Sequence, residues 1–303
     1  MHMIDTHCHI QFSAFKDDAD EVIKRCAEKN MILNVVGSQK DTSRRAVEYA
    51  EKYLSIYATV GLHPIHLFNT HVDEQEVNFE ARGEVFDYDY YKKLASHPKV
   101  IAIGECGLDF YHLPDGVSKE DLYARQKETF IAQYKLAQEL GLPMVIHVRE
   151  AHEEMVGLLH SLCHPEQSEG SLSTNQRDSS HSQNDNGIRA VIHCYTGNWH
   201  YAQKYLDLGL NLGFTGVITF PPKKSALEIK ASLLEVVKNC PLDRMLIETD
   251  APYLAPNLYR GKRCEPWMVE EVAKKIAEIK GLKPEEVVAE TTKNAINLFQ
   301  NIR

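Results

Sequence analysis

Two histidines one residue apart, His7 and His9, close an apolar run at the start of the chain. In a strand, alternate side chains share a face, so both imidazoles project one way and Cys8 the other. Further along, Glu105, His147, His193 and Asp250 each stand at or just beyond the end of another short β-rich run. A lone histidine at such a place is usually a hydrogen-bonded core residue. Asp250, before Ala251-Pro252, could simply cap a turn, and Glu105 could belong to a buried ion pair. Together those readings need six coincidences, with ionisable groups buried at a cost in free energy. A shared metal site accounts for all six.

Four histidines and two carboxylates suit Zn²⁺, Mn²⁺, Fe²⁺ or Co²⁺; Mg²⁺ is admissible but prefers an oxygen-richer shell. One ion leaves ligands over, whereas two use them all. His7, His9 and Asp250 then hold the first ion, His147 and His193 the second, and Glu105 bridges them. Ions so bridged stand roughly 3.5–4 Å apart and lower the pKa of a shared water towards ~7, which makes a hydroxide nucleophile at neutral pH. Asp250 is the expected catalytic group that orients this water and takes its proton, alongside Glu105. The acid for the leaving oxygen is open between His63 and water. Alternation turns Cys8 and Cys194 into packing, while the direction of Cys106, between Glu105 and Gly107, is unreadable.

These residues require a frame that gathers the ends of several strands. Short β-rich runs at 3–8, 32–37, 56–61, 100–105, 143–148, 190–194, 211–216 and 244–249 alternate with amphipathic stretches. The predicted helices cover 19–29, 42–52, 90–96, 122–140, 150–162, 201–208, 226–238, 266–280 and 284–301. Eight such units predict an α/β fold, a (β/α)8 TIM barrel spanning 1–303 as one domain. A doubly wound open sheet is the alternative, weakened because no GxGxxG turn follows the first run. Chemistry in barrels lies at the C-terminal strand ends, where all six ligands fall.

Two segments break the alternation. Residues 164–187 are rich in Ser, Gln, Asn and Asp, which predicts disorder at the barrel's N-terminal face, remote from the ligands. Residues 69–87 are acidic and follow the third run, on the ligand-bearing face, as an entrance wall or as surface decoration.

With 303 residues and a formal net charge of −9, the chain has no basic field suited to coating nucleic acid. A local grip on a strand end stays open. Seven scattered cysteines without a close CxxC pair predict reduced thiols, and no signal-like or membrane-spanning stretch is read, so a cytoplasmic protein without membrane contact is expected. Oligomeric state is not legible. Candidate substrate contacts on the same face are His63, His66, Arg149, Tyr195, Thr196, Arg260 and Arg263, with Lys223, Lys224, Tyr259 and Lys262 held more loosely. Cations that grip phosphate and rings that stack on bases hold single strands without reading their sequence.

The ordered set Asp5-Thr6-His7-Cys8-His9, Gly61-Leu62-His63-Pro64, Gly104-Glu105-Cys106-Gly107-Leu108-Asp109, His147-Val148-Arg149, His193-Cys194-Tyr195-Thr196-Gly197 and Glu248-Thr249-Asp250-Ala251-Pro252-Tyr253 resembles the TatD family of metal-dependent deoxyribonucleases. The resemblance implies a barrel of the metallo-dependent hydrolase superfamily and a two-metal centre on His7, His9, Glu105, His147, His193 and Asp250. It also implies 3′→5′ exonuclease action on DNA ends. The family commonly has Arg-Asn-Glu-Pro where this chain reads Arg263-Cys264-Glu265-Pro266, which puts one local contact in question. The alternative is hydrolysis of another ester or amide on the same centre, such as an aminoacyl-tRNA linkage. Related amide-cleaving barrels often bridge their metals with a carboxylated lysine, where strand four here offers Glu105. A non-catalytic metal sensor or scaffold is a third reading, disfavoured by the full ligand set.

Overall fold

The structure, a computed structural model, describes residues 2–74, 77–164, 187–221 and 227–302, with side chains described except at 70–81 and 222–231. The expected insert, apart from His164 and Gly187, lies outside the described residues, as do Lys223 and Lys224.

Eight parallel strands form the barrel wall: β1 (Met3–Cys8), β2 (Met31–Val36), β3 (Ile56–Val60), β6 (Val100–Asp109), β7 (Met144–Arg149), β8 (Ala190–Ile192), β9 (Asn211–Phe214) and β10 (Met245–Ile247). They are hydrogen-bonded in that order. The fold is a (β/α)8 barrel, as the alternation of strand and helix patterns predicts. The helices are α1 (Ala19–Glu28), α2 (Lys40–Lys52), α3 (Tyr88–Ala95), α4 (Lys119–Leu140), α5 (His152–Cys163), α6 (Trp199–Asp207), α7 (Leu227–Asn239) and α8 (Val269–Lys280). Segment 69–87 is not a plain loop: it carries an antiparallel hairpin, β4 (Thr70–Glu74) with β5 (Val77–Ala81).

Between its first and last strands the barrel closes through a short set of bonds. Cys8 bridges Ala251, the His9 amide donates to Ala251 O at 2.7 Å, and the Asp250 amide donates to His7 O at 2.9 Å. The buried Asp5 carboxylate accepts from the Thr249 amide at 2.9 Å and from its hydroxyl at 2.6 Å. A ninth helix, α9 (Pro284–Phe299), covers the N-terminal end. Its Ala295, Leu298 and Phe299 join Ile302 in one apolar cluster with Ile4, Tyr57, Val145, Val191 and Leu246 from five strands. This apolar floor leaves the opposite mouth for polar groups.

Two register shifts fall at predicted ligands. One lies between Asp5 and Cys8 and spans His7; the other lies between Ile103 and Cys106 and spans Glu105. Bulges of this kind re-aim side chains and concentrate near active sites. After its shift β6 continues to Asp109, four residues beyond the predicted end at Glu105. The glycine at 107 makes this possible. A Cβ there would lie 1.9 Å from His147 O, so only a residue without one lets β6 pass β7.

Candidate metal centre

The six predicted ligands converge at the C-terminal mouth and sort into two nests. In the first, His7 Nε2 and His9 Nε2 are 3.2 Å apart. Glu105 Oε2 lies 3.4 Å from the former and 3.8 Å from the latter, and Asp250 Oδ1 lies 3.6 and 3.3 Å from them. Metal–ligand bonds of about 2.1 Å in a tetrahedron give ligand–ligand edges of about 3.4 Å. The nest therefore has the size of a single ion's cage.

In the second nest the other oxygen of the same carboxylate, Glu105 Oε1, faces His193 Nε2 at 2.9 Å, His147 Nδ1 at 3.1 Å and His63 Nε2 at 3.3 Å. One buried carboxylate thus addresses two groups of imidazoles from opposite oxygens. The chemistry of this donor set, buried imidazoles and carboxylates, fits divalent metal. Burial alone would raise the pKa of Glu105; the surrounding His193, His63 and His7 hold it well below the ordinary carboxylate range. Burial also opposes ionisation of Asp250, and its bond to His9 with the nearby imidazoles keeps its pKa low.

Ligand rings must present a lone pair inward, and the outer partner decides which nitrogen carries the hydrogen. His9 Nδ1 donates to Val36 O at 2.7 Å, which leaves Nε2 bare. His147 Nε2 donates to Asp109 Oδ2 at 3.0 Å, which leaves Nδ1 bare towards Glu105. For His193, Nδ1 lies 3.3 Å from Glu248 Oε1, close enough for electrostatic orientation though misaligned for a direct N–H bond.

His63 is built the other way. Its Nδ1 accepts the Ile65 amide hydrogen at 3.1 Å, so Nε2 carries the proton and points a donor at Glu105 Oε1. Burial lowers its pKa to about 4, which keeps the ring neutral at pH 7. Its ligand atom lies within 4.8 Å of those of Glu105 and His147, but its tautomer suits donation to substrate rather than coordination.

Two carboxylates that the sequence reading left without a role complete the assembly. Asp109 is buried; one oxygen takes His147 Nε2 and His112 Nδ1 (2.8 Å), the other the amides of Tyr111 and His112 at 3.0 and 2.9 Å. Glu248, also buried, accepts the Cys194 amide at 2.5 Å and the Thr6 hydroxyl at 3.2 Å. Gly213 makes room for it, since a Cβ there would meet that carboxylate at 2.7 Å. The available signal was spacing: Glu248 and Asp250 are two apart, as His7 and His9 are.

The expected substrate contacts separate into groups. His63 lies at the centre, while His66 is buried behind it, 3.5 Å from the Ser38 hydroxyl. Arg149 lays its guanidinium 3.8 Å from the Tyr111 ring centre, and Arg260 lies 4.3 Å from that of Phe220. Thr196 is exposed. Two expectations need correcting. Tyr195 is buried in the layer between barrel and helices, its hydroxyl donating to Asn198 O at 2.6 Å. Strand β8 ends at Ile192 and Cys194 has a φ of 44°, so the alternation that would put Tyr195 on the face of His193 does not hold there. Arg263 is committed to Asp18 and Glu265 and lies over Phe15, so it ties two loops together. The packing read for Cys8 is seen, its buried thiol directed at Asn34 O. Cys194, read the same way, is only partly buried, with its sulfur 3.5 Å from the Thr215 hydroxyl. Cys106, whose direction the sequence left open, is buried with its thiol directed at Val145 O.

Among the described residues no helix is long and apolar enough to cross a membrane. A family model described as "TatD related DNase" matches residues 4–300. The chain is 38% identical to the uncharacterized metal-dependent hydrolase YabD of Bacillus subtilis, over 98% of this chain and 99% of the relative. It is 33% identical to the 3'-5' ssDNA/RNA exonuclease TatD of Cronobacter sakazakii, over 98% and 97%. The crystal structure of YJJV, a TatD homologue from Escherichia coli K12, matches with a TM-score of 0.76 at 25% identity, covering 98% of each chain. The chain belongs to the TatD family of metal-dependent hydrolases.

Proposed function

We propose that this chain hydrolyses phosphodiester bonds at DNA ends, releasing nucleotides in the 3′→5′ direction, with two divalent ions held by His7, His9, Glu105, His147, His193 and Asp250. The observation that carries the reading is Glu105, one carboxylate shared between two imidazole nests. The relative named as a 3'-5' ssDNA/RNA exonuclease supports the substrate class. A pair of bound divalent ions supplies a nucleophilic water at neutral pH and neutralises phosphoryl charge.

The residues do the rest. Asp250 is the more open of the two carboxylates in the first nest, with 16% of its side chain exposed against 6% for Glu105, so a water entering from the mouth meets it first. It orients that water and accepts its proton. His63 directs its Nε2–H into the same space and donates to a phosphoryl or leaving oxygen. The apolar floor beneath the ligands keeps bulk water out from below.

The test is incubation of metal-loaded protein with 3′- and 5′-labelled single-stranded DNA, duplex DNA, single-stranded RNA and aminoacyl-tRNA, with products resolved by size. Stepwise loss of mononucleotides from the 3′ end of single-stranded DNA is expected. Release of free amino acid with every polynucleotide left intact would overturn the nuclease reading in favour of ester hydrolysis.

A further inference from the structure

The loop after β6 exposes two large apolar side chains beside the site. Tyr111 and Leu113 are 50% and 49% exposed, and the Tyr111 amide is fixed to Asp109, the carboxylate that also holds His147. From the next strand end, two residues past His147, the Arg149 guanidinium stacks 3.8 Å from the Tyr111 ring centre. Single exposed apolar residues need no explanation. Here the backbone carrying a planar ring is pinned to the group that orients a candidate ligand, and the ring itself is backed by a cation.

We propose that Tyr111, backed by Arg149, is a stacking shelf for an unpaired nucleobase next to the linkage being cut; this rests on the nuclease reading above. A ring already fixed at its backbone loses little freedom when a base lands on it. Base–aromatic stacking is worth about 1–3 kcal/mol and is blind to base identity, as a non-specific exonuclease requires. The arginine charge beside the ring favours the passing phosphate backbone. Bases inside a duplex are stacked on each other and offer no free face, so the shelf selects frayed or single-stranded ends.

The experiment uses full-length, metal-loaded protein and a single-stranded oligodeoxynucleotide with hydrolysis-resistant phosphorothioate 3′ linkages. Fluorescent 2-aminopurine occupies each of the last two positions in turn, and a 5′ dye reports binding by anisotropy. With wild type, anisotropy rises and 2-aminopurine is quenched at one position. Tyr111→Ala is expected to weaken binding about tenfold (~1.4 kcal/mol) and to abolish the quench, while Tyr111→Phe restores both. Equal quenching in wild type and Tyr111→Ala would overturn the shelf and leave the nuclease reading standing. No anisotropy change with wild type would overturn both. Unchanged melting of Tyr111→Ala shows that the exposed ring is not needed for the fold.

Discussion

The imidazole of His7 lies flat against that of His193, with ring centres 3.8 Å apart and planes 18° from parallel. The two rings serve different nests, yet a nitrogen of each lies within 4.8 Å of a Glu248 carboxylate oxygen and of the other. Glu248 therefore sits behind both sites at once. Glu248→Gln keeps the volume and an oxygen for the Cys194 amide but removes the charge. We expect the affinity for both ions to fall together by roughly 10–100-fold, the usual effect of losing an outer partner. Calorimetric titration with Mn²⁺ or Zn²⁺ measures this. Loss at one site alone, or at neither, contradicts the shared role.

Replacing His63 separates a donor from a ligand. His63→Ala should lower kcat on single-stranded DNA about 100-fold while metal analysis still finds two ions per chain. Asp250→Ala removes a ligand and the base together, so turnover should drop by about 1,000-fold or more with weaker binding of one ion. If the His63 variant instead loses an ion, its ring is a ligand and the tautomer argument fails.

Protonation gives a third prediction. In the metal-free protein, burial opposes charge on His9, His147 and His193, but Asp250, Asp109 and Glu105 respectively raise their pKa. A raised histidine adds stability that is complete below about pH 6.5 and lost as pH climbs through its folded value. Glu105, Asp109 and Asp250 are lowered, so their contribution holds above about pH 4–4.5 and disappears as pH falls through their folded values. The metal-free protein then gains most from these groups between about pH 4.5 and 6.5. Ion binding needs bare imidazoles, so added Mn²⁺ should raise Tm more at pH 8 than at pH 6. A larger rise at pH 6 in scanning fluorimetry would count against the histidine ligands.

Residues 165–186 connect the end of α5 to the start of β8, and both anchors lie on the barrel face away from the ligands. Their replacement by a short Gly/Ser linker should leave kcat/KM within about twofold. A marked loss of turnover with unchanged melting would place that segment at the site after all.

The strand ends were legible because ligand positions and strand periodicity agree: His7 and His9 share a face as alternation requires, and Cys8 points to the packing layer. Less legible were the residues whose direction depends on local departures from regular register. Gly104 and Gly107 let β6 slide past β7 and continue to Asp109, a shift that periodicity does not carry. Tyr195 and Arg263 sit in motif-like surroundings, but their partners Asn198 and Asp18 decide their direction. Such partners are tertiary facts. The roles of Asp109 and Glu248 stayed hidden for the same reason, since each is defined by an imidazole on another strand.

The Asp5–Thr249 closure carries a consequence for biosynthesis. One cage draws on the ninth residue and the two-hundred-and-fiftieth, so a nascent chain emerging from the ribosome holds only fragments of it. The first nest is therefore assembled only after the segment that carries Asp250 has been made, whereas Glu105, His147 and His193 of the second are all present well before it.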